Sequence, residues 1–249
     1  RRNLDWMAAF EVTAEDGAAE DLPAIPEGQR AIRYPMEPGG DREPNQKVGA
    51  VAVALVAWIR WAEASGDRSQ DQRLREMGAF VAGRFRENGE MDAYFVDAGH
   101  RYASNRNDIA PGQAMYALAE LARYTGDSSF VDGFGAFLDH YEPWFRERTA
   151  RIDPDGQWPT RRFASNQDRL DVVQFGPYAI QACATYHAIT GDRRAARFAF
   201  EVADVLLDMQ YTTERSPWPD YVGGYWKMDG ELPAMQAFVY AEGMGAAHD

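Results

Sequence analysis

Three short punctuators, Ser65-Gly66-Asp67, Thr125-Gly126-Asp127 and Thr190-Gly191-Asp192, each close an apolar run, and their glycines lie 60 and 65 residues apart. A repeat of this length is one supersecondary unit that buries its apolar face on its neighbours. Glycine suits the left-handed position just past a helix, and the Asp after it can cap the next helix. Each punctuator therefore predicts a tight helix–helix turn. The runs before the turns, 46–64, 111–124 and 176–189, are dense in Ala, Leu, Val and aromatic residues. In Met115-Tyr116-Ala117-Leu118-Ala119-Glu120-Leu121-Ala122 apolar groups occupy nearly every side, the pattern of a helix buried on most faces. The runs after the turns, 70–85, 128–145 and 193–209, are more amphipathic. In the last, Ala196, Phe200, Ala203, Leu206 and Leu207 are expected to form one stripe opposite Arg194, Arg197, Glu201 and Asp208.

A fourth unit opens at Glu231-Leu232-Pro233, with proline in the first turn, where its missing N–H costs nothing. Its helix is expected over 234–245, with Glu242 aligned on Glu120 inside the fold and in need of a partner or a raised pKa. The count is three and a half hairpins.

Buried and half-exposed helices alternating with this period, the Ser/Thr-Gly-Asp turns and runs such as Pro111-Gly112-Gln113-Ala114 resemble the (α/α) toroid superfolds. The six-hairpin glycosidases and the related polysaccharide lyases and epimerases are the nearest in kind. The resemblance covers 45–249 and implies an all-α fold, an incomplete (α/α) toroid of helical hairpins with short β segments in its long loops. Residues 1–44 are expected to be an extended N-terminal segment packed on that domain, with a possible strand at Ala31-Ile32-Arg33-Tyr34. A plain α-solenoid would also stack buried helices, but the longer period and one-sided loops favour the toroid. The chain stops where the fourth hairpin would turn, so the rest of the ring is expected elsewhere, in a longer chain or another subunit. These signals are architectural and carry no residue roles with them.

The net charge of −13 opposes nonspecific binding to nucleic acid or to an anionic membrane. The longest apolar run, Val48 to Ile59, has 12 residues, short for a bilayer and suited to a core helix, so no membrane insertion is expected. Cys183, the one cysteine, excludes an internal disulfide and a thiolate zinc cluster, and its apolar helical setting reads as a buried structural thiol. His140 and His187 fall inside helices and read as packing residues. No compact ligand spacing points to a metal, and no cofactor is called for.

The connections are asymmetric. Turns inside each hairpin take about three residues, whereas the returns 86–109, 147–173 and 210–233 far exceed the usual loop length. Their aromatic content argues against disorder. Because each return precedes a buried helix, all three are expected on one face of a toroid, beside helix N-termini. Arg101 to Asp108 parallels Arg162 to Asp168 at an offset of 61, and Gly89, Gly156 and Gly223 each precede an extended stretch. Each return therefore reads as a turn, a short strand and a helix cap.

Flat aromatics stack on pyranose rings, and Asp, Asn and Arg hold hydroxyls. On that basis Tyr94, His100, Arg101, Tyr102, Arg106, Trp158, Arg162, Trp218, Tyr221, Tyr225 and Trp226 are the candidate saccharide-binding residues. Hydrolysis would need two carboxylates flanking the scissile bond, one protonated and one ionised. The loop-face candidates are Glu90, Asp92, Asp97, Asp108, Asp168, Asp171, Asp220 and Glu231, with Asp92, Asp108 and Asp220 the first choices. Each also suits a bland role, Asp108 as a helix cap and the other two as solvated loop charges. Arg101, Arg106, Arg161, Arg162 and Arg169 gather on the same loops and suit an anionic saccharide. With a uronate bound, His100, Tyr94 or Tyr102 could remove the C5 proton, which gives elimination or epimerisation. The expectation is a carbohydrate-active enzyme, with a non-catalytic glycan- or protein-binding toroid as the alternative. A terpenoid-cyclase-like toroid, suggested by Asp155-Gly156-Gln157-Trp158 and Gly223-Gly224-Tyr225-Trp226, lacks an Asp-rich motif and has loops too polar for an isoprenoid.

Overall fold

The computed structural model describes residues 8–16, 24–32, 46–92, 94–96, 101–103, 109–149, 166–216, 218–225 and 234–248. Among them the fold is all-α with short β segments. Seven α-helices are described: α1 (Val48–Ser65), α2 (Asp71–Ala82), α3 (Ile109–Thr125), α4 (Phe134–Thr149), α5 (Asn166–Thr190), α6 (Arg193–Asp208) and α7 (Ala234–His248).

The three punctuators share one backbone construction. Gly66, Gly126 and Gly191 have φ of 71°, 72° and 73°, and each amide donates to the carbonyl four residues back, on Ala62, Ala122 and His187. The Asp that follows accepts from the backbone N–H two residues on, at Ser69, Ser129 and Arg194. The residue before the glycine also has a task. Thr125 Oγ1 donates to the Leu121 carbonyl (2.7 Å) and accepts from Asp127 N (3.3 Å). Thr190 repeats this with Tyr186 and Asp192. All three positions of the motif thus satisfy backbone groups that a helix end leaves open.

Contacts divide the chain into two compact units, 1–139 and 140–249, with the division inside α4. In the first unit α1 packs on α3, and α2 packs on both. Val48, Val51, Ala52, Leu55 and Ile59 of α1 and Ala114, Ala117, Leu118 and Leu121 of α3 are buried. Small residues let these helices approach closely. A Cβ on Gly78 of α2 would collide with Leu121 Cδ2 and Phe130 of the next hairpin. By length and composition α1 could cross a membrane, but half of it is buried in the protein, as in a core helix. Two strands, β1 (Glu11–Thr13) and β2 (Arg30–Ile32), form an antiparallel hairpin with Val12 opposite Ala31. β2 lies against α2 and α1 and buries Ala31 and Ile32. A second sheet has the order β3 (Gln46–Lys47), β4 (Tyr94–Val96), β5 (Arg101–Ala103), all antiparallel.

In the second unit α5 packs on α6 and α7. The core is aromatic: Tyr141 stacks on Phe175 (5.3 Å between ring centroids), and Phe145 meets Phe198 edge-on (5.6 Å). Gly243 of α7 sits so close to Pro177 of α5 that an added Cβ would lie 3.0 Å from the proline carbonyl oxygen.

Four expectations need correction. The buried stripe of α6 is Ala195, Phe198, Ala199, Val202, Ala203, Val205 and Leu206, while Phe200 and Leu207 are exposed. The buried face of α6 is thus rotated by about 100° from the expected one, toward the smaller Ala195 and Ala199. Helix α5 starts at Asn166, ten residues before Gly176, and carries Pro177 in its interior. An interior proline costs a helix about 3 kcal/mol, so Gly176-Pro177 reads locally as a start. The run 128–145 is broken into a 3-10 turn (Ser128–Val131) and α4. Glu242 is exposed rather than interior.

Candidate functional site

The return after α2 begins as a tight hairpin. Phe85 and Met91 form an antiparallel bridge, Gly89 turns the chain at φ 82°, and Asp92 N donates to Arg84 O (2.9 Å). Arg86 clamps it, its Nη1 donating to Glu90 Oε2 (2.6 Å) and its Nη2 to Asp92 Oδ1 (2.5 Å). The Asp92 hydrogen bond, then its charge, push the Arg86 pKa up. Asp92 is thus the anchor of a hairpin whose strand continues into β4. In the sheet, Tyr94 is in register with Ala103, Phe95 with Tyr102, and Val96 with Arg101.

The return after α6 starts the same way. Gln210 and Tyr225 form an antiparallel bridge, with Tyr211 N donating to Gly224 O (2.8 Å) and Gly223 N to Tyr211 O (2.9 Å). Gly223 has φ 89°. Within this hairpin, Pro219–Tyr221 form one 3-10 turn, pinned by Ser216 Oγ, which donates to Trp218 O (2.5 Å). The turn brings Trp218, Asp220 and Tyr221 together. Trp218 is 62% exposed and Asp220 is exposed. Tyr221 leans on Tyr211 (6.0 Å between centroids). Tyr225 is buried, and burial pushes its pKa up.

Asp168 and Asp171 lie in the first turns of α5, not in a loop. Arg148 of α4 reaches toward both, with its Nε 3.7 Å from Asp168 Oδ1 and 4.0 Å from Asp171 Oδ2. Its guanidinium also lies over the Trp144 ring at 4.3 Å. Asp171 is buried. His100, Asp108, Arg106, Trp158, Arg162 and Trp226 lie outside the described residues, as do Asp97, Arg161 and Glu231. Asp92 belongs to the first unit and Asp220 to the second.

Other clusters escaped the sequence. Glu120 is buried at 3% exposure and paired with Arg60 (3.1 Å) and Arg123 (2.8 Å), which also hold Glu63. A lone acid in the otherwise apolar run 115–122 was the available signal. Trp144 and Arg148 had none, because they sit on an ordinary amphipathic helix. Cys183 is fully buried, and burial pushes its thiol pKa well up, so it is not poised as a nucleophile. His187 Nδ1 lies 3.0 Å from the Asp192 carbonyl, and His140 packs edge-on against Tyr141. Among the described residues no group of three His, Cys, Asp or Glu could hold a metal ion.

No family model, curated protein or solved structure matches the chain.

Proposed function

We propose that the chain has an (α/α) toroid architecture and acts on an oligo- or polysaccharide, with an anionic glycan as the preferred class. The observation that carries this reading is the Trp218–Asp220–Tyr221 turn. An aromatic ring offered to solvent, with a carboxylate two residues on, is what stacking on a pyranose and holding its hydroxyls require. The turn sits in a hairpin directly after the amphipathic helix α6, and the return after α2 likewise opens with a bridge and a positive-φ glycine, beside Asp92. Helices that pack in buried and half-exposed ranks within each unit support the toroid. The arginines of the returns supply bidentate partners for carboxylate or sulfate groups on the sugar.

Two chemistries fit this residue set. In hydrolysis, a protonated carboxyl group would donate to the leaving oxygen while a second carboxylate attacks or activates water, with about 5–10 Å between them. In elimination or epimerisation, Arg would hold the uronate while Tyr or His takes the C5 proton. A second reading, a non-catalytic glycan-binding module, draws on the openness of Trp218 and Asp220, since catalytic carboxyl groups are more often enclosed.

The test is a screen of the full chain for turnover and binding on neutral and acidic glycans, with Trp218→Ala and Asp220→Asn as variants. The proposal expects turnover of at least one glycan, weaker binding in Trp218→Ala, and unchanged melting in both variants. Binding without turnover selects the module reading. A chain that neither binds nor turns over any glycan removes both.

A further inference from the structure

We infer that the cavity beside the β1–β2 hairpin is a binding site for a small organic cation rich in N–H donors, an ammonium or guanidinium compound. The cavity lies within the first unit, between the hairpin and α2, and holds about 520 Å³, within the range of small-molecule sites. Five carboxylates and two guanidiniums line it. Net charge alone would not select a ligand, because arginine could equally receive an anion. The hydrogen-bond accounting decides the sign.

Both guanidiniums of the cavity already face carboxylates. Arg30 Nη1 donates to Glu11 Oε2 (3.1 Å) and its Nε to Glu76 Oε2 (2.9 Å). Arg73 pairs through Nε with the same Glu11 oxygen (3.0 Å), donates through Nη1 to Gln70 Oε1 (2.7 Å), and lies over the Trp58 ring at 4.7 Å. The Gln72 amide nitrogen donates to Glu76 Oε1 (2.9 Å). The acceptors, by contrast, are left over. Glu11 is 2% exposed at its side chain, and its second oxygen, Oε1, is buried without a partner, as is Gln29 Oε1. Among the described residues Glu15 and Glu27 enter no ion pair. A buried acceptor with no donor is unfavourable in a folded protein. A cavity whose guanidiniums are paired, and in which Glu11 Oε1 and Gln29 Oε1 lack donors, complements a ligand that brings donors and positive charge. Burial pushes the Glu11 pKa up against the pull of Arg73 and Arg30, and a cation seated beside it would favour its ionised form.

This inference is independent of the glycan reading, because it concerns another part of the first unit. The experiment is isothermal titration calorimetry of the full chain with agmatine and with spermidine, at about 150 mM salt, where loose surface attraction is screened. Glucose and acetate serve as the neutral and anionic counterparts. The expected result is saturable one-to-one binding of agmatine or spermidine and none of glucose or acetate. Glu11→Gln should weaken it about tenfold, the loss of one charge-assisted hydrogen bond, and Glu27→Gln should weaken it by a smaller factor. Asp204→Asn, an exposed acid on α6, should leave it unchanged. If Glu11→Gln does not fold, Glu15→Gln and Glu27→Gln decide in its place, since both acids are exposed and, among the described residues, enter no ion pair. Four results overturn the inference: no saturable cation binding, equal weakening by Asp204→Asn, full binding in the cavity variants, or comparable binding of glucose or acetate.

Discussion

Replacing Gly89 by alanine separates two costs that most glycine substitutions confuse. Gly89 has φ 82°, and a Cβ there would fall on the backbone of α4, at the carbonyl of Ala136 and the amide of Phe137. Gly126 has nearly the same conformation, φ 72°, but a Cβ there would meet nothing within 4 Å. At both sites alanine pays about 1–2 kcal/mol of left-handed strain, offset by about 0.4–1 kcal/mol from a less flexible unfolded chain. Gly126→Ala should therefore cost roughly 1 kcal/mol. Gly89→Ala adds an overpacking cost of about 1–3 kcal/mol. Helix backbone cannot step aside as a side chain can, so the hairpin must shift and strain the Phe85–Met91 bridge and the Arg86 clamp. The total is roughly 2–4 kcal/mol, or a fall of about 4–16 °C in melting temperature for a chain of this size. Thermal and urea melts of the two variants, run beside the parent, measure the difference. Equal destabilisation, within about 0.5 kcal/mol, would refute the claim that Gly89 is fixed by its contact with α4.

Two further outcomes follow from the same geometry. Asp92→Asn breaks one arm of the Arg86 clamp, a partly exposed pair worth about 0.2–1 kcal/mol. A melt should barely move, and on a glycan the chain turns over, a loss of 100-fold or more would place Asp92 in the chemistry, while an unchanged rate would leave it as a hairpin anchor. Glu11 sets a pH dependence with an unusual sign. Its folded pKa is raised above the ordinary 4.5, so the folded state holds its proton more tightly than the unfolded one. The associated stability is complete below about pH 4.5 and declines as pH rises through the folded pKa. Melts from pH 4 to 7 should show the parent losing stability relative to Glu11→Gln across that window, and a parallel pair of curves would count against it.

What could be read from the chain follows the range of the interactions involved. The Ser/Thr-Gly-Asp turns were legible because every hydrogen bond in them closes within five residues. The hairpin turns after α2 and α6 were legible through Gly89 and Gly223, both of which take the left-handed conformation. Pro177 misled because the local cost of an interior proline is real, and only packing of α5 on α6 and α7 overrides it. The α6 stripe failed for a related reason. Phe200 and Leu207 are large and apolar, and hydrophobicity alone does not say that the smaller Ala195 and Ala199 face the core. The pocket beside β1 was beyond reach, since Glu11, Arg30 and Arg73 meet only when a strand hairpin is laid on α2. Of the saccharide candidates, Trp218, Asp220 and Tyr221 were grouped by simple adjacency in sequence, which is also why they could be named.

Asp171 is the acid whose role the structure reframes most. In sequence it was one of eight loop carboxylates. In the fold it is a buried group one turn inside α5, facing Arg148 at 4.0 Å, with the more exposed Asp168 at 3.7 Å from the same guanidinium. Arg148 is itself committed to the Trp144 ring, so the charges sit where removing one leaves the other poorly solvated. Neutralising Asp171 should therefore cost more than neutralising Asp168, by about 1–3 kcal/mol. That is a further drop of roughly 2–12 °C in melting temperature for Asp171→Asn over Asp168→Asn. Calorimetric melts of the two variants decide it. If both melt alike, the burial of Asp171 does no structural work, and an accompanying loss of turnover on a glycan would move Asp171 from the scaffold into the catalytic set.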